Sequence, residues 1–509
     1  MVTKIISGAV DGVEGTIITV EVDLSAGLPG TEVVGLPDSA VREAKERIRA
    51  AIRNSGFLLP QQRVTINLAP ASTRKFGASF DLPMAVGILA GTNEIAADRA
   101  QGVFVSGELS LDGNIRPVDG ILPMIDNAYR EGVKRFIVPY DNMKEASLIR
   151  GAKVASVKTL RDLVTFFKSG VLPQYEEVEP DDDECQQNDF LPDFSDVKGQ
   201  SRVKRALEVA AAGGHNVLMT GPPGSGKTML AKRVPTILTN LTFDESISVT
   251  KIYSVAGLTQ NTALMTKRPF RSPHHTTSYA ALIGGGKFPV PGEVSLSHHG
   301  VLFLDEFPEF SKDVREALRQ PMEDGSVTIS RAAGKTTFPS VFMLIGAMNP
   351  CPCGFFGDGN RCACSQRDVN NYQEKLSGPL MDRIDIHINV PRVEYDKLQS
   401  AQKPESSAVI KERVAKAVAV QQTRYANYPA KTNARLTEAM LQEFCFLSPP
   451  CAAMLADAYE KIQLSARAYT KVLKVARTIA DLDGSADIAE KHLGEALQYR
   501  AADNKIRYL

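Results

Sequence analysis

The sequence predicts an α/β protein in three parts: an α/β domain over residues 1–170, a parallel-sheet domain with a phosphate-binding loop over 195–392, and a helical domain over 393–509. Three observations predict it. A short apolar strand, residues 216–220, runs straight into a Gly-x-x-x-x-Gly-Lys-Thr loop and then a helical stretch. From Asp193 to Val390 apolar strands alternate with helical patterns, as in a parallel sheet covered on both faces. After Pro391 the periodicity turns helical.

The elements follow in order. Ile18, Val20, Val22 and Leu24 alternate with Thr19, Glu21 and Asp23, which gives a half-buried strand. Pro37 and Asp38 open a helix whose Val41, Ala44, Ile48 and Ile52 share one face and which Gly56 stops. Val64, Ile66 and Leu68 mark a further strand. Between Lys168 and Lys198 there is no basic residue, while Glu176, Glu177, Glu179, Asp181, Asp182, Asp183 and Glu184 crowd together. Such a run repels itself and buries nothing, so 171–194 is expected to be an acidic linker. Helical patterns at 408–425, 436–446, 449–462 and 467–482 build the last domain. No repeat of solenoid period is present.

Composition narrows the function. The 509 residues exceed one core. Lys+Arg and Asp+Glu balance at 59 each, which excludes a globally basic coat, so any nucleic acid must meet a local basic surface. The N-terminus lacks the basic-then-apolar pattern of a secretory signal, and no apolar run is long enough to span a bilayer. Four of the seven cysteines lie between 351 and 364, unlike a secreted disulfide scaffold. A cytoplasmic protein with reduced thiols and no membrane partner is expected.

The chemistry starts at the loop Gly221, Pro222, Pro223, Gly224, Ser225, Gly226, Lys227 and Thr228. Its glycines let backbone N–H groups wrap phosphates, Lys227 neutralises β/γ charge, and the Thr228 hydroxyl ligates Mg²⁺. The cofactors implied are ATP and Mg²⁺. The apolar run 301–304 then ends in Asp305, a candidate for holding Mg²⁺, and Glu306, a candidate general base. A third apolar strand, 341–348, delivers Asn349, either a γ-phosphate sensor or the start of a turn before Pro350. Arg383 is either an arginine offered to the nucleotide of a neighbouring subunit or the partner of Asp382 or Asp385. Arg467 opens a helix in the last domain, and either reaches the same nucleotide or lies on the surface.

Taken together, residues 221–228, 268–277, 291–306, 349–354 and 377–385 resemble the magnesium-chelatase-like branch of the AAA+ proteins, and within it the ComM/YifB family. The likeness extends over nearly the whole chain. It implies a Lon-protease-like (S5-like) α/β domain, an AAA+ P-loop core and a helical lid. It assigns Lys227, Thr228, Asp305, Glu306, Asn349, Arg383 and Arg467 to nucleotide handling. It further implies a homo-hexameric branch-migration helicase acting in natural transformation, whose partners are single-stranded and branched DNA and recombination proteins. A DNA-contacting hairpin is expected before Asn349, with Arg331 and Lys335 flanking its turn; a plain surface hairpin is the alternative. Residues 75–83 and 107–122 resemble the Lon peptidase domain. Ser79 falls at the nucleophile position, but Leu122 stands where the base lysine should be and cannot accept a proton, so no proteolysis is expected.

Cys351, Cys353, Cys362 and Cys364 are candidate Zn²⁺ ligands, with Gly354, Gly357 and Gly359 letting their loop fold back; four reduced thiols are the alternative. Adjacent histidines on a strand point apart, so His274–His275 and His298–His299 are poor chelates and are read as structural or pore-lining. A chelatase-type or protein-remodelling ATPase competes with the DNA motor.

Overall fold

The computed structural model describes residues 2–73, 75–171, 192–259, 264–286, 289–331, 334–357, 361–395 and 404–508, with backbone only for Arg331, Gly334 and 501–508. Most of the acidic stretch, 172–191, and Gly359 of the cysteine loop lie outside the described residues. The chain divides into two compact units: residues 1–184 with 243–265, and residues 185–242 with 266–509.

The first unit is a seven-stranded sheet. Its strands are β1 (Val2–Asp11), β2 (Glu14–Ser25), β3 (Gly30–Val34), β4 (Arg63–Ala69), β5 (Val103–Val105), β8 (Arg135–Pro139) and β9 (Lys153–Val157), in the order β3-β4-β2-β1-β5-β8-β9; β6 (Glu108–Leu109) and β7 (Ile115–Arg116) form a small hairpin. Alternation places Ile18, Val20 and Val22 of β2 fully inside, as a half-buried strand requires. The helix Ser39–Asn54 buries Val41, Ala44, Ile48 and Ile52, and the Asp38 carboxylate accepts from Val41 N at 2.8 Å as its N-cap.

The helix Phe243–Val255 belongs to this unit, although the sequence reads it inside the nucleotide-binding stretch. Its partners explain the difference. Lys251 reaches Asp126 at 2.6 Å, and Gly120 N donates to Ser254 O at 3.1 Å. A lysine buried to this degree needs a carboxylate, and the carboxylate lies 125 residues away in sequence, where no local pattern reveals it.

The second unit carries β10 (Val217–Thr220), β11 (Phe270–Arg271), the pair β12 (Gly284–Gly285) and β13 (Val290–Pro291), β14 (Val301–Leu304), the hairpin β15 (Ser326–Arg331) and β16 (Gly334–Pro339), β17 (Met343–Met348) and β18 (Ile386–Asn389). Five of these form a parallel sheet in the order β11-β14-β17-β10-β18. Every residue of β10, β14 and β17 is buried, which is why these strands read as unbroken apolar runs. The C-terminal helices Ser407–Arg424, Glu438–Phe444, Pro449–Ile462 and Ala466–Leu482 follow the expected pattern. A further helix, Glu490–Tyr508, was not expected; it seats Leu493, Ala496 and Leu497 in the core, while Arg500 donates to the Ile384 carbonyl at 2.8 Å. Among the described residues no helix is long and apolar enough to cross a membrane.

Candidate nucleotide site

Parallel strands bring their C-terminal ends to one edge, and three of those ends meet here. The loop after β10 bends at Gly224 and Gly226, whose φ of 73° and 90° favour glycine, and a Cβ on Gly221 would collide with the Val390 carbonyl. Lys227 turns back over the loop and donates to Gly221 O at 2.6 Å, Pro222 O at 3.0 Å and Asn349 Oδ1 at 3.2 Å. Burial pushes its pKa down, while Asp305 and Glu306 pull it the other way. Thr228 Oγ1 donates to Asp305 Oδ2 at 2.6 Å, and Glu306 N donates to Asp305 Oδ1 at 3.0 Å. Ser225 Oγ is buried with no hydrogen-bond partner among the described residues. A glycine-lined turn, an ammonium held on loop carbonyls and a hydroxyl paired with a carboxylate make a fit for a triphosphate and a hard cation. Strand register thus brings together Lys227, Thr228, Asp305, Glu306 and Asn349 from three separate stretches.

One neighbour escaped the sequence reading. His275 Nδ1 lies 3.4 Å from Glu306 Oε2. β11 runs beside β14 with Phe270 opposite Val301, so both chains leave the sheet at the same edge. In the sequence His275 falls in the family-like segment 268–277, but a two-residue strand, Phe270–Arg271, is too short to show its place in the sheet.

Arg383 stands elsewhere. It precedes β18, which pairs with β10 as Ile386 opposite Val217 and Asn389 opposite Thr220. The loop leaves β10 after Thr220, so Arg383 lies at the other end of the sheet, a strand length of roughly 13 Å away at about 3.3 Å per residue. Arg383 pairs with neither Asp382 nor Asp385: its guanidinium meets Glu323 and donates to Pro379 O at 2.6 Å. Arg467 lies beside it, 4.0 Å from Asp382 Oδ2 and 60% exposed. Lys471, one turn along the helix, reaches Asp385 at 2.7 Å, and Asp385 also accepts from Asn216 N at 3.0 Å. Burial would raise the Asp385 pKa, but Lys471 and His215 hold it well below the usual range. Burial brings Lys471 down to about 8 against the pull of Asp385.

Residues 193–398 match the family described as magnesium chelatase, subunit ChlI; residues 20–142 match subunit ChlI of Mg-chelatase, and 404–500 its C-terminal part. The competence protein ComM of Haemophilus influenzae is 42% identical over 96% of both chains. The uncharacterized protein YifB of Escherichia coli is 41% identical over 98% of this chain and 97% of its own. The chain belongs to the ComM/YifB family of magnesium-chelatase-like AAA+ proteins. That membership supports ATPase activity with ATP and Mg²⁺. Lon protease 2 of Bacillus subtilis is 26% identical over 30% of each chain, and this likeness gives the ComM-like chain its Lon-like N-terminus.

Within that Lon-like unit, Ser79 precedes the helix Asp81–Gly91, and its carbonyl accepts from Gly107 N at 3.1 Å. Leu122 is fully buried on the helix Ile121–Arg130. Lys75, the buried lysine nearest Ser79 in sequence, gives its ammonium to the Pro70 carbonyl.

Two further features belong to the same unit as the nucleotide site. The sulfurs of Cys351, Cys353, Cys362 and Cys364 all lie within 4.8 Å of one another, with Cys351–Cys353 at 3.3 Å, Cys351–Cys362 at 3.8 Å and Cys353–Cys362 at 3.6 Å. Sulfurs at the corners of a tetrahedron with Zn–S of ~2.3 Å sit roughly 3.8 Å apart, so the set fits a soft tetrahedral ion. Phe356 N donates to Cys351 Sγ at 3.3 Å. The loop also touches the phosphate loop: a Cβ on Gly354, whose φ is 85°, would come within 2.6 Å of Pro223 Cδ. The β15–β16 hairpin buries Val327, Ile329 and Phe338, and sets Ser330 opposite Lys335, which is exposed. The Arg331 side chain lies outside the described residues.

Proposed function

We propose that this chain is an ATP-driven motor on DNA, working as a ring of six copies and promoting branch migration as incoming DNA is integrated in natural transformation. One observation carries the ring: Arg383 and Arg467 stand together, a sheet length from the phosphate loop of their own chain. Cations so placed serve a nucleotide held by the next copy. The relative whose name reads competence protein, and the exposed Lys335 at the hairpin end, support DNA as the substrate.

In this reading Lys227 leaves the Gly221 and Pro222 carbonyls for the β/γ-phosphate oxygens. Thr228 and Asp305 would hold Mg²⁺, which neutralises phosphate charge when bound. Glu306 takes the proton of the attacking water, Asn349 orients that water and the γ-phosphate, and the neighbour's arginines stabilise charge developing in the transition state. The four thiols would hold Zn²⁺ as a structural brace. The N-terminal unit performs no proteolysis because Leu122 cannot act as a base; peptide cleavage abolished by Ser79→Ala would contradict this. A chelatase-type or protein-remodelling ATPase, favoured by the magnesium-chelatase family match, is the second reading. ATP turnover with and without single-stranded and forked DNA separates them. The motor predicts stimulation by DNA; turnover indifferent to every DNA form supports the second reading.

A further inference from the structure

The helix Ser39–Asn54 of the first unit carries a face that neither the core nor the nucleotide site uses. Val41, Ala44, Ile48 and Ile52 lie in the core. Arg42, Lys45, Arg49 and Arg53 each follow one of them by a single residue, so the cations form a row about 100° around the helix from its buried face. From Arg42 to Arg53 the row runs roughly 16 Å at about 1.5 Å per residue. All four side chains are exposed, and among the described residues none makes an ion pair. Arg47, which lies off the row, forks instead onto the buried Asp81 at 2.8 and 3.0 Å.

Local helix rules oppose this row. The first turn holds no acid, and Arg42 closes it where the helix dipole favours an anion. Arg42 and Lys45 stand three residues apart, and Lys45, Arg49 and Arg53 stand four apart, so each step along the row sets like charges side by side. Glu43 and Glu46 are the only acids on the helix, neither pairs with the row, and residues 47–63 contain no carboxylate at all. At the far end Arg161 donates to the Ser55 carbonyl at 3.2 Å and adds a guanidinium beside the helix terminus. Exposed helix positions are free to carry mixed charge; a repulsive row there marks a surface shaped by a partner and not by folding.

The partner must be a polyanion. Cations one helical turn apart, about 5.4 Å, suit a linear chain of phosphates, which follow one another at about 3.4 Å along a DNA strand. A membrane surface would require apolar side chains beside the cations, and the apolar face of this helix is already spent on the core. We propose that the row Arg42, Lys45, Arg49 and Arg53 is a second nucleic-acid contact, in the N-terminal unit, that grips the phosphate backbone of a DNA strand. The contact reads charge and not bases, so it holds any sequence. It rests on the DNA-motor reading, to which it adds a holding surface apart from the β15–β16 hairpin.

The test measures binding of fluorescein-labelled single-stranded oligonucleotides of unrelated sequence to the full-length chain by anisotropy, over a salt series. The native chain is compared with R42Q/K45Q/R49Q/R53Q, which removes the charge at little cost in helix propensity, and with R42K/R49K/R53K, which keeps it. The Gln variant is expected to retain ATP affinity and to melt at or above the native temperature, since repulsion along the row is gone. Its Kd for DNA rises about tenfold or more for every sequence, and the slope of log K against log salt falls by about 2 to 3, as four phosphate contacts at about 0.7 each require. The Lys variant binds within about threefold of native. A Gln variant with native Kd and slope would overturn this proposal and leave the motor reading standing, and a Lys variant as weak as the Gln one would overturn it equally. A native chain that binds neither single-stranded nor forked DNA would remove both.

Discussion

Lys227 shows how one side chain waits for its ligand. Its ammonium is buried, which costs free energy unless paired, and it is held by two loop carbonyls and the Asn349 amide oxygen. Those partners are neutral, so phosphate oxygens outcompete them. Glu306, the proposed base, would have the complementary task. Glu306→Gln keeps the shape and loses the basicity, so ATP binding persists within about twofold while single-turnover hydrolysis falls by about 10²-fold or more. Native turnover in that variant would remove Glu306 from the role of base. At this scale the sequence was informative where function needs a fixed local order, as in residues 221–228 and the Asp305–Glu306 pair. It was silent where strands far apart in sequence are brought side by side, which is why the sequence reads His275 as structural or pore-lining. Arg383 was offered two acidic partners close in sequence, yet it takes Glu323 from 60 residues upstream, a choice that only the folded chain reveals.

Elements carry the couplings. The cysteine loop meets the phosphate loop at Gly354 and Pro223. Gly354→Ala meets both a positive φ and that contact, so it weakens ATP binding by about 1–3 kcal/mol, measured as a higher Kd for ATP. If the four thiols hold their ion as proposed, purified native protein contains about one zinc per chain, and Cys353→Ser lowers that content in elemental analysis. The helix Ala466–Leu482 is fastened to the base of the sheet by Lys471 and Asp385. Removing one member strands the other charge in the interior, so Asp385→Asn destabilises the chain by about 3–5 kcal/mol in chemical denaturation. The pH dependence follows from the direction of the Asp385 shift. Its folded pKa lies below the ordinary value, so its stabilisation is complete above the usual carboxylate range and fades as pH falls beneath it. Asp385→Asn therefore flattens the acid limb of the stability profile. Strands and helices with a clean period, such as β2 and Ser39–Asn54, were legible beforehand. The helix Glu490–Tyr508 was not, because its buried set includes polar residues: Arg500, whose partners His387 and the Ile384 carbonyl lie far upstream, and His492, whose Nδ1 accepts from Ala489 N.

For the whole molecule, the governing fact is that a parallel sheet separates its two ends. Chemistry gathers where strands finish, and Arg383 and Arg467 gather where they begin. In the ring proposed above, one copy is half of a site, and ATP turnover would be a property of neighbours. The most direct test mixes two variants that are each inactive alone: Lys227→Ala, which lacks a working phosphate loop, and Arg383→Ala, which lacks the cation offered to its neighbour. The account predicts that mixing restores part of the ATP turnover, because some interfaces then pair an intact loop with an intact arginine. Arg383→Ala turning over ATP at the native rate by itself, or a mixture as inactive as its components, would contradict it.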